Sequence, residues 1–450
     1  MSAQPLEEIA ELLLKAARQH GATAADVVAA EGDSLSVGVR LGEVEKLKQS
    51  RAKHLGLRVF VNQSTAISAT ADFSREALVK LAEETCALAR ITAPDPFAGL
   101  PPADDLAREI LDLELYDPDV ETVTPEHGIA QARAAEAVAL GADPRITNSE
   151  GAEFSSGYDR VVYASSTGFL GSYRDSGFSL SVVPIATENG GMQRDYWYSS
   201  HRRLRALEEP EAVGRKAAQR TLRRLGARQV DTCEVPVVFD PETAASLLRH
   251  LAGAVSGYAL YKGSSFLIGK LGQTIAPEFL TIYDDGTLVG ALGSKPFDGE
   301  GVITRRNAVV EKGVLRSYLL DTYSARKLDS RTTGNASRSV ADAPHVGTTN
   351  LFPAAGEQSP EEILRGIPKG LYVTELIGMG VNPVTGDYSR GAVGQWIVDG
   401  ELAYPVEEIT IAGNLLQMFQ GIEAIGSDLE LRHSVSAPTI KIGRMTVAGR

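Results

Sequence analysis

The chain has 450 residues, of which 43% are hydrophobic, and its formal net charge is −13. Its hydrophobic content is sufficient for large packed cores, and its length suggests about three domains. The excess of acidic residues opposes direct binding to a nucleic acid backbone. No apolar run reaches the ~18 residues needed to cross a bilayer. We therefore expect a globular protein that contacts neither nucleic acid nor membrane directly.

The first segment, residues 1–92, alternates helical and strand patterns. Residues 6–20 carry apolar side chains at helical spacing, interrupted by acidic ones, which predicts an amphipathic helix rather than a signal peptide. Apolar and polar residues alternate at 34–41 and again at 55–61, as in half-buried strands. A second helix follows Asp72 or Ser74, either of which can cap it. This order of elements predicts an N-terminal α+β domain with an antiparallel sheet.

Residues 93–124 form a proline-rich connector, and residues 125–227 form a middle α+β segment. The connector should be stiff and extended. The middle segment begins with a helical pattern, continues with strands and ends in a basic helix predicted from Glu209 to Leu225. The simplest interpretation is that its cations form a solvated face near the helix C-terminus. These cations are Arg215, Lys216, Arg220, Arg223 and Arg224.

The last segment, residues 228–450, is rich in short strand patterns and tight-turn signals. Asp285-Gly286, Lys312-Gly313 and Asp399-Gly400 each lie between strand-like runs. Such pairs favour two-residue hairpin turns, because both positions can adopt positive φ. We expect a C-terminal domain that is mainly antiparallel β and barrel-like.

Residues 241–256 read as a helix that follows a strand-like run. Asp240 suits its N-cap, Pro241 suits its first turn, and the leucines recur at helical spacing. The chain contains no GxSxG, GxxxxGK[ST] or HExxH motif, and no two of its seven histidines have local metal-ligand spacing. Its two cysteines, Cys86 and Cys233, form no CxxC pair, which favours a reducing cytoplasm.

Two stretches combine aromatic and polar residues. The first contains Tyr196, Trp197 and Tyr198. The second, within 381–415, has five candidate residues, Asn382, Asp387, Tyr388, Ser389 and Arg390. These side chains could fill a core, or they could line a groove that holds an extended peptide by backbone pairing. Both interpretations stay open at this point.

The segments 196–200, 264–272, 294–302, 317–328 and 381–415, with the helix at 241–256, make the chain resemble the TldD/PmbA family, specifically its TldE (PmbA) branch. The TldD branch carries an HExxxH zinc motif on that helix. Here the aligned positions are Arg249, His250 and Ala254, so both zinc-ligand histidines and the glutamate are replaced. A guanidinium cannot ligate a metal, and one imidazole makes a weak site.

The resemblance implies a non-catalytic subunit of a cytoplasmic TldD/TldE zinc metallopeptidase complex that processes or degrades small or unfolded peptides. In this interpretation the chain holds no cofactor and no catalytic residue, and zinc belongs to a TldD-like partner in a heterodimer. The chain alone would form a homodimer. Two alternatives remain: a self-sufficient metallopeptidase with an unusual site involving His250, His345 or His433, and a regulatory binding protein linked to DNA gyrase.

Overall fold

The computed structural model describes residues 5–450. Its α-helices, in chain order, are α1 (Leu6–Gln19), α2 (Arg75–Ile91), α3 (Pro125–Gly141), α4 (Pro210–Leu222), α5 (Pro241–Val255), α6 (Gly257–Tyr261), α7 (Thr322–Lys327), α8 (Pro360–Arg365) and α9 (Leu415–Gln420). Short 3₁₀ turns lie at Ala103–Asp105, Pro118–Thr122 and Leu204–Ala206. Within the described residues, every helix is too short or too polar to cross a membrane.

The first half of the chain forms one antiparallel sheet of seven strands. They are β1 (Ala24–Arg40), β2 (Glu43–Val61), β3 (Ser64–Thr70), β4 (Ile146–Ser165), β5 (Leu170–Glu188), β6 (Gly191–Arg194) and β7 (Trp197–His201). The order is β3-β2-β1-β4-β5-β6, with β7 also pairing β5. Since β1 pairs β4, the predicted segments 1–92 and 125–227 share one continuous sheet.

The alternation at residues 34–41 falls at the end of β1. Leu35, Val37 and Val39 are buried, as predicted, because they face a helix-covered core. Leu41 was wrongly included in the strand. It adopts positive φ in the turn to β2 and is exposed, since β1 ends at Arg40.

Helices cover the sheet in two places. α1 and α2 pack on β1, β2 and β3 in one core, while α3 and α4 pack on the outer half of β1 with β4, β5 and β7 in another. The connector at 93–124 runs towards the C-terminal half, where the backbone of Leu106 pairs with that of Val302.

The second half contains the remaining strands, which are β8 (Cys233–Phe239), β9 (Ile282–Asp285), β10 (Arg306–Glu311), β11 (Val314–Leu315), β12 (Ala336–Ser337), β13 (His345–Val346), β14 (Leu351–Pro353), β15 (Lys369–Ile377), β16 (Asp387–Val398), β17 (Glu401–Asn414), β18 (Ile422–Ile425) and β19 (Ile440–Ala448). β17, β16, β15, β8 and β19 follow one another, and pairing between β17 and β19 closes them into a barrel. Only β8 and β15 pair in parallel within this barrel. The predicted α+β class with a mainly antiparallel, barrel-like C-terminal domain is confirmed.

The two faces of the barrel strands pack against different helices. Val237 and Phe239 of β8 join Leu247, Leu248 and other α5 residues in the largest core. The alternate residue, Val238, packs on α8 from the opposite face. This alternation holds α5 rigidly against the barrel, with only its polar face left uncovered.

The basic helix presents only part of the solvated face that its sequence suggests, since Arg215 and Lys216 are exposed but other cations are not. α4 ends at Leu222, and the side chains of Arg220 and Arg224 are buried. Arg220 lies 3.3 Å from Asp195 and 3.4 Å from Asp240. Since buried charges must be paired, this ion triad ties α4 to the loop before β7 and to the N-terminus of α5.

Candidate functional site

Helix α5 begins where the sequence predicts. Asp240 is its N-cap and accepts hydrogen bonds from the backbone N–H of Thr243 at 2.9 Å and from the Thr243 hydroxyl at 2.8 Å. Pro241 occupies the first turn. The cap and the buried leucines fix which side of the helix faces outward.

The three positions that the resemblance sets against the HExxxH motif do not face one site. Arg249 is exposed, His250 is half-buried, and Ala254 is only 2% exposed within the core. Residues five apart on a helix point about 140° apart, given 3.6 residues per turn. In this chain, therefore, Arg249 and Ala254 lie on different faces of α5.

His250 is the one aligned residue that could ligate a metal, and its surroundings are unfavourable for one. Its Nε2 atom is buried without a hydrogen-bond partner. Burial lowers the pKa of His250, and the positive charges of Arg390 and Arg249 lower it further. Two guanidinium groups beside one imidazole would repel a divalent cation.

The donor set therefore does not fit zinc. A catalytic zinc site takes about three protein ligands. Among residues 5–450, no group of three or more His, Cys, Asp or Glu side chains is arranged to hold a metal. His345 lies in β13 and lines a different cavity from the one beside His250.

The polar face of α5 forms one wall of a cleft of about 650 Å³, which we call the α5 cleft. It is lined by Val183, Arg194, Asp195, Tyr196, Arg224, Glu242, Thr243, Ser246, Arg249, His250, Thr374, Glu375, Leu376, Met379 and Arg390. The residues come from the long sheet, from the segment just after α4, from α5 and from the barrel. The cleft thus lies where the two halves of the chain meet.

Of the first predicted aromatic group, only Tyr196 faces the α5 cleft, and it is 43% exposed. Trp197 and Tyr198 are buried. The Trp197 ring lies 3.8 Å from the ammonium of Lys216, and Tyr198 stacks on His433 with ring centroids 5.0 Å apart. Trp197 belongs to the core under α3 and α4. Tyr198 lies on the same side as Tyr196, with their ring centroids 6.1 Å apart, and His433 covers it. These two aromatics therefore pack between elements and do not line this cleft.

The second predicted group is divided in the same way. Arg390 lines the α5 cleft, and Tyr388 is 1% exposed and meets His250 edge-on, with centroids 6.0 Å apart. Burial raises the pKa of Tyr388 to about 12, with Arg390 acting in the opposite direction. Tyr388 thus supports His250 from the core.

Asn382, Asp387 and Ser389 lie outside the α5 cleft. The Asn382 side chain accepts a hydrogen bond from the backbone N–H of Val384 at 2.9 Å. The Asp387 carboxylate accepts a hydrogen bond from the Thr385 hydroxyl at 2.6 Å. The backbone N–H of Ser389 donates to the carbonyl of Gly380. These residues shape the loop before β16, which is a local structural role.

Sequence reasoning missed Glu242, Ser246 and the arginines that reach the cleft from other elements. Glu242, Ser246 and Arg249 recur at helical spacing, so the polar face of α5 was a usable signal. Arg194 pairs with Glu150 at 2.9 Å, and Arg224 pairs with Glu375 at 2.6 Å. Their arrival in the cleft depends on how the two halves pack, which no local pattern shows.

The cleft also holds two cations without carboxylate partners. Within the described part of the chain, neither Arg249 nor Arg390 forms an ion pair. Arg390 donates from Nη2 to the carbonyl of Leu376 at 3.3 Å, while its Nε is buried without a partner. The α5 cleft can therefore attract an anionic group.

Sequence profiles of the PmbA/TldA metallopeptidases match this architecture along the chain. Domain 1 matches residues 25–89, the central domain matches 118–225, and the C-terminal domain matches 232–449. These matches cover most of the chain, which therefore belongs to the PmbA/TldD metallopeptidase family.

Individual relatives agree with that assignment. The chain is 40% identical to Metalloprotease PmbA of Escherichia coli O157:H7, over 95% of this chain and 92% of that protein. It is 37% identical to the PmbA homolog of Haemophilus influenzae, over 99% and 96%. A crystal structure from Bacteroides thetaiotaomicron, named as a candidate modulator of DNA gyrase, covers all of both chains with a TM-score of 0.93 and 29% identity.

Proposed function

We propose that this chain is the non-catalytic, TldE-like subunit of a cytoplasmic peptidase complex that processes or degrades small or unfolded peptides. A TldD-like partner supplies the zinc site in a heterodimer, and this chain forms one side of a shared peptide channel. The observation that carries the proposal is the donor set on α5. Arg249 is a fixed cation, and Ala254 lies in the core, so His250 has no companion ligand on the helix.

A peptide is the substrate class that the α5 cleft fits best. Its volume of about 650 Å³ lies within the ordinary range for ligand sites. Tyr196 and Met379, which is 93% exposed, offer apolar surface to side chains. The metalloprotease names of the E. coli and H. influenzae relatives agree with a peptide as substrate.

The proposal includes no direct contact with nucleic acid. The net charge of −13 opposes binding to a polyanion. The gyrase name belongs to the Bacteroides protein, and for this chain any such link would be indirect. The two free cysteines, Cys86 and Cys233, accord with a reducing compartment.

The test is metal analysis followed by a peptidase assay. The purified chain should contain far less than one zinc per chain and should not cleave an unfolded model peptide. Adding a TldD-like chain with an intact HExxxH motif should give chelator-sensitive cleavage and a 1:1 complex in size-exclusion chromatography. Stoichiometric zinc together with cleavage by this chain alone would overturn the proposal.

A further inference from the structure

We infer that the α5 cleft binds the C-terminal carboxylate of a peptide, with Arg249 and Arg390 as the groups that hold it. This inference rests on the proposed function and deepens it by naming the part of the substrate that this chain recognises. Arg249 is a cation on α5 itself, and Arg390 of β16 lines the same cleft.

The charges lining the cleft leave these two arginines available. Glu375 is neutralised by Arg224, and Glu242 accepts a hydrogen bond from Tyr198 at 2.8 Å. The remaining carboxylate, Asp195, is buried beside Arg220 at 3.3 Å. Glu242 thus keeps its negative charge in the cleft, but it forms no ion pair with Arg249 or Arg390, which have no anionic partner among the described residues.

Arg249 and Arg390 line the same cleft from different elements. Arg249 comes from α5, and Arg390 comes from β16. A carboxylate between them would receive charge-assisted hydrogen bonds from two directions, and these are stronger than bonds between neutral groups.

Two unused polar atoms lie next to these cations. Arg390 Nε and His250 Nε2 are both buried and lack hydrogen-bond partners. Since both atoms are covered, a carboxylate in the cleft would contact the outer nitrogens of the two guanidinium groups, and it would reach these two atoms only if the side chains shifted.

The surroundings favour a peptide terminus over a free inorganic anion or a nucleic acid. Tyr196, Leu376 and Met379 line the same cleft and provide apolar contacts beside the cations. The last side chains of a peptide would use those contacts, whereas a phosphate ion would not. The negative charge of the whole chain opposes a long polyanion.

The experiment uses the full chain alone, with EDTA present, and fluorescence anisotropy. Three N-terminally labelled hexapeptides are compared: one with a free C-terminal carboxylate, the same sequence as a C-terminal amide, and an amide with one internal glutamate. The free acid should bind at least about tenfold more tightly than either amide. Arg249→Gln and Arg390→Gln should each reduce that difference, and the double variant should remove it.

Matched variants keep the result interpretable. Arg75→Gln changes an exposed arginine on α2, outside the cleft, and should preserve the preference for the free acid. Arg249→Lys keeps the positive charge but loses the bidentate geometry of the guanidinium group. Its preference for the free acid over the amide should therefore lie between those of the wild-type protein and Arg249→Gln. Thermal unfolding of each variant shows whether it is folded, and Arg249→Gln, being at an exposed position, is the decisive one.

Three results would overturn the inference. They are equal binding of acid and amide, equal binding of the internal-glutamate amide and the free acid, and displacement of the peptide by a short single-stranded oligonucleotide at lower concentration than by unlabelled free-acid peptide. None of these depends on zinc or on a partner chain. Failure here is therefore distinguishable from failure of the proposed function, which metal content and the two-chain assay decide.

Discussion

The hydroxyl of Tyr198 donates a hydrogen bond of 2.8 Å to Oε1 of Glu242. Tyr198 belongs to β7 of the long sheet, and Glu242 lies in the first turn of α5. Burial raises the pKa of Tyr198, and the negative charge of Glu242 raises it further, so the hydroxyl keeps its proton. This bond therefore ties the two halves of the chain together beside the α5 cleft.

Replacing Tyr198 with Phe should lower the free energy of unfolding by about 1–2 kcal/mol, because Glu242 loses a donor at a half-buried position. Chemical denaturation measures the change. Tyr196→Phe is the matched control, since the Tyr196 side chain is exposed and its hydroxyl has no hydrogen bond in the described part of the chain. Equal effects of the two variants would contradict the assigned role of Tyr198.

Local chemistry was enough to predict several features. Asp240 caps α5, and Ser74, rather than Asp72, caps α2. Lys312-Gly313 and Asp399-Gly400 form hairpin turns with positive φ at both residues, as predicted.

Asp285-Gly286 was predicted wrongly as a hairpin. β9 ends at Asp285, but its partner β10 begins only at Arg306. The Asp285 carboxylate instead accepts hydrogen bonds from Thr287. A turn signal shows that the chain bends and does not show which strand it will pair with.

Asp26 is the centre of a buried ion network that joins the long sheet to the second half. It is fully buried and accepts hydrogen bonds from Arg58, from Tyr163 at 3.1 Å and from Arg338 at 2.8 Å. Burial alone would raise the pKa of Asp26, but Arg58 and Arg338 more than offset this and lower it below its usual value of 3.8.

Asp26→Asn should therefore destabilise the protein by about 3–5 kcal/mol at neutral pH, because buried Arg338 loses its carboxylate partner and buried Arg58 keeps only Glu300. A carboxyl with a lowered folded pKa stabilises above its unfolded pKa, and that contribution is lost as pH falls through the folded value. The difference in free energy of unfolding between the wild-type protein and Asp26→Asn should thus become smaller below about pH 4. Denaturation curves across pH check this.

The control is Asp33→Asn. The Asp33 carboxylate pairs with Arg51 at 2.8 Å, but the Arg51 side chain is 83% exposed. An exposed pair contributes only about 0–1 kcal/mol. If Asp33→Asn lowered the stability as much as Asp26→Asn, burial would not be what makes the Asp26 network important.

Gly56 marks a close contact between the two halves. A Cβ on this residue of β2 would lie 1.6 Å from the carbonyl oxygen of Val340. Gly56→Ala should therefore lower the stability by about 3 kcal/mol or more, since a backbone segment must move. Gly177→Ala on β5 would meet nothing within 4 Å and should leave stability unchanged or slightly higher. Thermal unfolding of both variants measures the contrast.

The site was less predictable than the fold. Tyr196 and Arg390 meet in one cleft although they are far apart in sequence, whereas Trp197 and Tyr388, their near neighbours, are buried. Strand alternation does not explain the second case, because Tyr388 and Arg390 are two residues apart and lie on the same face of β16. It also does not reveal which residues will be covered. That depends on how the barrel packs on the long sheet, and Arg220 in its buried triad is part of that packing.

Substitutions at Ala254 test whether this chain lacks only the ligand side chains of a metal site or also the helix geometry that such a site needs. Its side chain lies in the largest core, and its carbonyl accepts a hydrogen bond from Ser265 at 2.6 Å. Ala254→His should cost about 1–3 kcal/mol by overpacking, whereas Arg249→His at its exposed position should cost less than about 0.5 kcal/mol.

The combined variant R249H/H250E/A254H restores the HExxxH letters on α5. It should still contain far less than one zinc per chain, because position 254 lies within the core whereas position 249 is exposed, so the two introduced histidines do not share one open site. Metal analysis and thermal unfolding with and without zinc measure this. Stoichiometric zinc that raises the unfolding temperature would show that α5 retains a usable metal geometry, and that the loss in this chain lies in three side chains alone.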